Sequence, residues 1–271
     1  MPDLKTAGAR TLILSLNDVL RYLPFAALHD GKRYLAQDYA LALHTAAANN
    51  VNLFSEPPRR WNVAGMGLTR NVEDLPALTA VSREVERVVG VQGFTGTAYL
   101  DDRFTRRQLL DVVQDRYNVL HVASHFKFVA GAPETSRLFL GDRSALTLGD
   151  IKAQNWRFDR ARLITLSACE TGVGGGADAF GQEIEGLGAL VQRQGAWAAM
   201  VTLWKINDDA TPLLMRGFYG GLAQGRNKAQ SLREAQVAFI EGGRAIDGEE
   251  IPRRSAHPYY WAPFVIMGNW R

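Results

Sequence analysis

The sequence predicts an α/β protein with a mainly parallel sheet and helices on both of its faces. Three observations carry this. From Trp61 onward, strand-like apolar runs alternate with helical patterns of ten or more residues, as in successive β-α-β units. The runs at 117–126, 162–172 and 196–204 read as buried strands, and the last is nearly continuous in apolar residues, as strands covered on both faces are. Before Ser55-Glu-Pro-Pro58 only short β-type runs occur, and paired prolines stop both helix and sheet. The chain is therefore expected to be a single domain, with residues 1–58 a β-rich extension and 59–271 the core.

The elements follow in order. Thr11–Leu16 is a short β-type run. Tyr22–Leu28 and Tyr39–Leu43 are apolar runs on either side of a turn at His29–Lys32, so strands and hairpins are expected here. Trp61–Met66 is a strand. Leu78–Val89 is a helix, because Val81, Val85, Val88 and Val89 fall on one face. Phe94–Leu100 is a short strand. Thr105 is placed to cap a helix that turns Leu109, Leu110 and Val113 inward. After the strand at 117–126 comes a looser region, 127–150, with a strand at Arg137–Leu140. Gln182–Gln194 is a helix with Ile184, Leu187, Leu190 and Val191 as its stripe, and Gly195 ends it. Asp208 or Asp209 caps a helix from about Ala210, where Pro212 is tolerated in the first turn. A helix over Ala229–Ile240 and a strand over Trp261–Met267 complete the chain.

Composition narrows the function. The chain has 271 residues, 46% hydrophobic and 22% charged, ordinary values for a globular protein. A net charge of +3, from 31 basic and 28 acidic residues, leaves no nucleic-acid footprint. The pairs Arg59-Arg60, Arg106-Arg107 and Arg253-Arg254 read as solvated faces. A sole cysteine forms no internal disulfide, which favours a reducing, cytoplasmic setting. No signal-type N-terminus, no apolar run approaching membrane-spanning length and no internal repeat of about 20–50 residues is visible, so no membrane association is expected.

Two strand exits carry candidate chemistry. His125 ends one apolar run and Cys169 ends another, at the edge of a glycine-rich stretch over 170–181. If the two strands are parallel neighbours, about 4.8 Å apart, a thiol and an imidazole meet at the carboxyl edge of the sheet, where α/β proteins place their chemistry. A neighbouring imidazole activates a thiol and later protonates the leaving amine, the minimal apparatus of acyl transfer. The amides of Cys169 and of the residue after His125, Phe126, are in reach of a developing oxyanion. His121, four residues deeper, reads as a satisfied core histidine. Core roles for the cysteine and histidine remain the plain alternative. Gly172-Val-Gly174 has no following Gly-Lys-Ser/Thr, so a phosphate cradle is poorly supported. One cysteine and five dispersed histidines give no metal set, and no cofactor is expected.

The pair Leu120-His-Val-Ala-Ser-His125 and Leu166-Ser-Ala-Cys-Glu-Thr-Gly172 resembles the CHAT family of caspase-like cysteine peptidases, relatives of separase. Arg21-Tyr-Leu-Pro-Phe-Ala-Ala-Leu28, Gly195-Ala-Trp-Ala-Ala-Met-Val-Thr-Leu-Trp204 with Asn207–Thr211, and Trp261-Ala-Pro-Phe-Val-Ile-Met-Gly268 resemble further motifs of that family. The resemblance implies a caspase-like, six-stranded, mainly parallel sheet with an N-terminal β-rich extension. It implies a catalytic Cys169–His125 dyad cutting a protein or peptide substrate. The glycine-rich stretch 170–181 beside the nucleophile points to control by a regulatory partner, and the resemblance, to a family whose members tend to follow helical repeats, adds an N-terminal repeat domain as a candidate. Separase-like relatives accept a basic side chain through an acidic turn, which maps onto Asp208 and Asp209; capping of the next helix is the competing role. One departure stands out: Phe126 occupies the place of a usual glycine. A catalytically impaired interaction or scaffold module is the alternative that this departure keeps open.

Overall fold

The computed structural model describes residues 2–17, 20–21, 23–47, 55–58, 60–129, 132–154, 156–167, 187–204, 210–243, 245–246 and 248–271. Its strands are β1 Thr11–Ser15, β2 Ala40–His44, β3 Trp61–Gly67, β4 Phe94–Leu100, β5 Val119–Ala123, β6 Phe126–Lys127, β7 Arg137–Phe139, β8 Ala145–Thr147, β9 Leu163–Ser167, β10 Ala198–Thr202, β11 Ala245–Ile246, β12 Glu249–Glu250 and β13 Phe264–Gly268. Its helices are α1 Pro2–Thr6, α2 Leu35–Asp38, α3 Val81–Val89, α4 Arg106–Gln114, α5 Leu148–Ala153, α6 over residues 187–193, α7 Thr211–Ala223 and α8 Lys228–Glu241. None is long and apolar enough to cross a membrane among the described residues.

One eight-stranded sheet organises the chain, in the order β1-β2-β13-β10-β9-β5-β3-β4. The block β10-β9-β5-β3-β4 is parallel throughout. One helix returns the chain to the starting end of the sheet and so yields a parallel neighbour. Between β10 and β13 run two helices, α7 and α8, which bring the chain back to the end it left. β13 therefore lies antiparallel to β10. From β4 to β13 the sheet has six strands, caspase-like and mainly parallel, and β2 and β1 extend it at the β13 edge.

The two faces bury separate cores. On one, Val119, Leu163 and Met200 of the sheet meet Val88 of α3, Leu214 of α7 and Phe239 of α8. On the other, Leu120, Ile164 and Val201 meet Leu109 of α4, Leu148 of α5 and Leu190 of α6. This alternation along β5, β9 and β10 is the period-2 rule of a strand covered on both sides. α3 lies very close to β3 because Gly65 and Gly67 leave room: a Cβ on either would stand 2.8 Å from Val85 Cγ1 or 2.5 Å from Val81 Cγ1.

Local signals fix the helix starts. The Thr105 hydroxyl accepts the Gln108 N–H at 3.1 Å, as expected for the cap of α4. Thr147 and Asp150 form a reciprocal capping box on α5, at 2.9 and 3.0 Å. The Asn227 side chain accepts the Gln230 N–H at 2.8 Å and starts α8.

Several expectations need correction. β1 and β2 are parallel, in register from Thr11 opposite Ala40, and form no hairpin. Their connection is long enough for a crossover and holds a 3-10 turn at Phe25–Ala27 and the short helix α2. The region after His125 is ordered as an antiparallel sheet, β6-β7-β8, followed by α5. In α4 it is Val112, with Leu109 and Val113, that is buried; Leu110 is only half-buried. α7 follows Ala210 and begins at Thr211; the expected caps Asp208 and Asp209 lie outside the described residues.

Candidate active site

The site is built where the direction of sheet winding reverses. From β3 the chain moves outward to β4, then crosses back to β5 on the other side of β3. The carboxyl ends of β3 and β5 thus mark a topological switch point, the usual ligand position in an open α/β sheet. His125 stands at this end of the sheet, two residues past the end of β5. Its ring is buried, and Nε2 lies 2.8 Å from the carbonyl oxygen of Pro76 in the β3–α3 connection. A carbonyl only accepts, so Nε2 carries a proton and, in the neutral ring, Nδ1 is the basic nitrogen. The Pro76 carbonyl thereby fixes both tautomer and ring orientation.

β5 and β9 are adjacent and parallel, in register from Val119 opposite Leu163 to Ala123 opposite Ser167. The exits are pinned together: the Ser124 N–H donates to the Ser167 carbonyl at 3.3 Å, and the Ser124 hydroxyl donates to the Phe139 carbonyl at 2.6 Å. Cys169, the 170–181 stretch, Asp208 and Asp209 lie outside the described residues.

Phe126 is resolved into two separate parts. Its ring is buried in the main core with Phe128, Leu138 and Phe139. Its backbone opposes Leu138, while the Phe139 N–H donates to the His125 carbonyl at 3.0 Å. That bond makes 125/139 the hydrogen-bonded pair and 126/138 the non-bonded one, so the Phe126 amide points away from β7.

Beneath the switch point His121 is fully buried, as expected of a core histidine, with both ring nitrogens engaged. Nε2 lies 3.0 Å from Glu84 Oε1 of α3, and Nδ1 lies 3.2 Å from the Tyr219 hydroxyl of α7. That hydroxyl is in turn 2.7 Å from Thr165 Oγ1, on the residue directly opposite His121 in β9. Burial pushes the Tyr219 phenol far above its ordinary range, so it remains a neutral hydrogen-bonding group. Sequence reasoning missed this network and the Pro76 carbonyl. Glu84 gave one signal: it sits on the valine face of α3, three residues after Val81 and four before Val88.

The CHAT domain family model matches residues 1–269. Among solved structures, the chain is similar to the Arg-specific cysteine proteinase gingipain R, with a TM-score of 0.54 at 8% identity, covering 86% of this chain and 55% of that one. The complex of the pro- and mature domains of the Porphyromonas gingivalis enzyme gives 0.51 at 9% identity, covering 86% and 56%. The Saccharomyces cerevisiae separase–securin complex gives 0.54 at 14% identity, covering 91% of this chain and 15% of that one. The chain thus spans about half the gingipain structures and a small part of separase, and at these identities the likeness is one of fold. No curated protein matches the chain. The match over nearly the whole sequence and the caspase-like sheet agree: the chain belongs to the CHAT domain family.

Proposed function

We propose that the chain is a cysteine endopeptidase of the caspase-like type, with Cys169 as nucleophile and His125 as general base and acid. The single observation that carries this reading is the in-register, parallel exit of β5 and β9 beside the β3/β5 switch point, with His125 already oriented by the Pro76 carbonyl. His125 and Cys169 each follow the paired residues Ala123 and Ser167 by two positions, which supports this reading of a shared rim.

In this reading His125 Nδ1 takes the proton of the Cys169 thiol, and the sulfur attacks the carbonyl carbon of the substrate peptide bond. The negative charge that develops on the carbonyl oxygen is met by the Phe126 and Cys169 amides. The C–N bond breaks as His125 returns the proton to the departing amine. A water molecule, deprotonated by His125, then hydrolyses the thioester and restores the thiol. The Phe126 ring is held in the core while its amide points away from β7, so the side chain that replaces the usual glycine lies away from the proposed donor. This counts against the scaffold alternative. A reducing, cytoplasmic setting suits a peptidase that depends on one free thiol.

The substrate side is assigned to Asp208 and Asp209, just before α7, as acceptors of an Arg or Lys side chain before the cut. The named specificity of gingipain R for Arg is in keeping with this assignment. Separase was solved bound to securin, and a protein regulator is proposed here as well. The test is a mixed peptide pool and a thiol-reactive probe applied to wild type, Cys169→Ala and His125→Ala. Both variants should lose cleavage by roughly 100-fold or more, and Cys169→Ala should lose labelling. Cleavage that survives Cys169→Ala would end the proposal. A pool showing no preference for basic residues, or a preference unchanged in Asp208→Ala and Asp209→Ala, would end the specificity assignment alone.

A further inference from the structure

β1 lies at one end of the eight-stranded sheet and has β2 as its only neighbouring strand among the described residues. The Ala40 N–H donates to the Arg10 carbonyl at 3.0 Å, and Thr11 stands opposite Ala40. Along a strand, alternate residues point their backbone groups to alternate sides, so Arg10, Leu12 and Leu14 face β2. The N–H and C=O groups of Thr11, Ile13 and Ser15 therefore face outward, where no strand of the described residues meets them. Such an edge is a template for another strand, and native chains blunt it with Lys, Pro, a bulge or a charge. Thr11-Leu-Ile-Leu-Ser-Leu16 has none of these: it carries no charge and no proline, and β1 pairs with β2 residue for residue.

Apolar exposure gathers in the same part of the chain. Among the described residues the exposed large hydrophobic side chains are Ile13, Leu20, Leu23, Leu28 and Tyr259, and all but the last lie in β1 or the connection that follows it. The Arg21 guanidinium donates Nε–H to the Leu16 carbonyl at 2.7 Å and ties that connection to the end of the strand. Leu14 and Leu23 share the lining of a small apolar recess with Phe25.

We propose that this edge pairs with the same edge of a second copy of the chain, antiparallel, about a two-fold axis at Ile13. The sequence is centred on that residue: Thr11-Leu-Ile-Leu-Ser15 reads almost alike in both directions. With Ile13 opposite the second copy's Ile13, Leu12 meets Leu14 and Thr11 meets Ser15. Opposed residues in an antiparallel pair are alternately hydrogen-bonded and non-bonded. This register makes 11/15, 13/13 and 15/11 the bonded pairs, and those are the residues whose groups face outward. Every open group on both strands is thereby satisfied. A shift of one residue would satisfy none of them, and a shift of two would leave an outward residue on each strand unpaired within β1. This self-matching of sequence and open groups selects a second copy over a foreign strand, and the two-fold closes the assembly as a dimer. The paired segment is only about 17 Å long, so the dimer should dissociate on dilution. β2, β13 and β10 separate β1 from β9, so the pairing does not depend on the Cys169–His125 assignment.

Sedimentation velocity of the full chain from about 1 to 100 µM, with a reductant so that Cys169 forms no link between copies, should show a monomer–dimer equilibrium. Ile13 is exposed, so its replacement leaves the core untouched. Ile13→Lys and Ile13→Glu each set like charges opposite one another on the axis, and each should weaken dimerisation at least about tenfold. An equimolar mixture of the two should recover it to within about threefold of wild type, because the opposed charges now attract. Hydrogen exchange needs no substitution: at the high concentration the amides of Thr11, Ile13 and Ser15 should exchange at least about tenfold more slowly, while those of Leu12 and Leu14, which face β2, change little. Should a variant fail to fold, exchange in the wild-type chain decides alone. A chain that stays monomeric at about 100 µM overturns the proposal. So does a dimer that survives Ile13→Lys, a mixture that fails to recover, or protection that spares Ile13.

Discussion

Replacing Glu84 and His121, singly and together, by leucine tests the buried network beneath the switch point. Both side chains are almost fully shielded from water and stand 3.0 Å apart. His121→Leu leaves the Glu84 carboxylate buried without its partner, which costs about 3–5 kcal/mol. Glu84→Leu leaves His121 Nε2 unsatisfied, a loss of about 1–3 kcal/mol. In the double variant neither orphan exists. Leucines fill the space between α3 and β5, and the Tyr219 hydroxyl still has Thr165 Oγ1 at 2.7 Å. Replacing both partners by apolar groups is often nearly neutral, so the pair should lose only about 0–2 kcal/mol. The double-mutant cycle should therefore show a coupling energy of at least about 2 kcal/mol. Urea denaturation followed by circular dichroism measures it, given an unchanged dependence on denaturant across the four proteins. Two results would refute the reasoning: single costs that add to the double within about 0.5 kcal/mol, or a His121→Leu cost below about 1 kcal/mol. Either would mean that water or another group already satisfies the pair.

Three further outcomes are expected. Gly220→Ala should raise stability by about 1 kcal/mol, because it adds helix propensity at a position with free space, while Gly221→Ala should lower it by about 1–3 kcal/mol through crowding against Ser231; thermal melts of the two variants should shift in opposite directions. Burial, with a smaller contribution from Arg162, pushes the Lys228 ammonium down to about 7, although Asn269 Oδ1 and the Arg271 carbonyl oxygen accept from it. Between that value and the ordinary lysine range the unfolded chain holds a proton that the folded chain has shed, so stability should rise with pH there, by up to about 1.4 kcal/mol per unit; Lys228→Met should flatten that rise in denaturant titrations across pH 7 to 10. Thr105→Ala should cost about 1 kcal/mol through loss of the cap on α4, and Thr105→Asn should retain most of it.

What could be read from the residues depended on how much of the determining force was local. β5, β9 and β10 were visible because strands buried on both faces are apolar at almost every position. The α4 start was visible because its cap, Thr105, is a side chain. The parallel pairing of β1 with β2 was not, because it is set by docking of β2 against β13, far away in the chain. β8 spans three residues, too few to show a period, yet the Thr147-x-x-Asp150 box after it was a readable start for α5. Glu84 was hidden by the rule that a helical carboxylate faces water, which its buried partner His121 overrides. The Pro76 carbonyl had no signature at all, since every residue carries one. The residues of the proposed dyad stood out for the opposite reason: a thiol and an imidazole are rare, and each follows an apolar run.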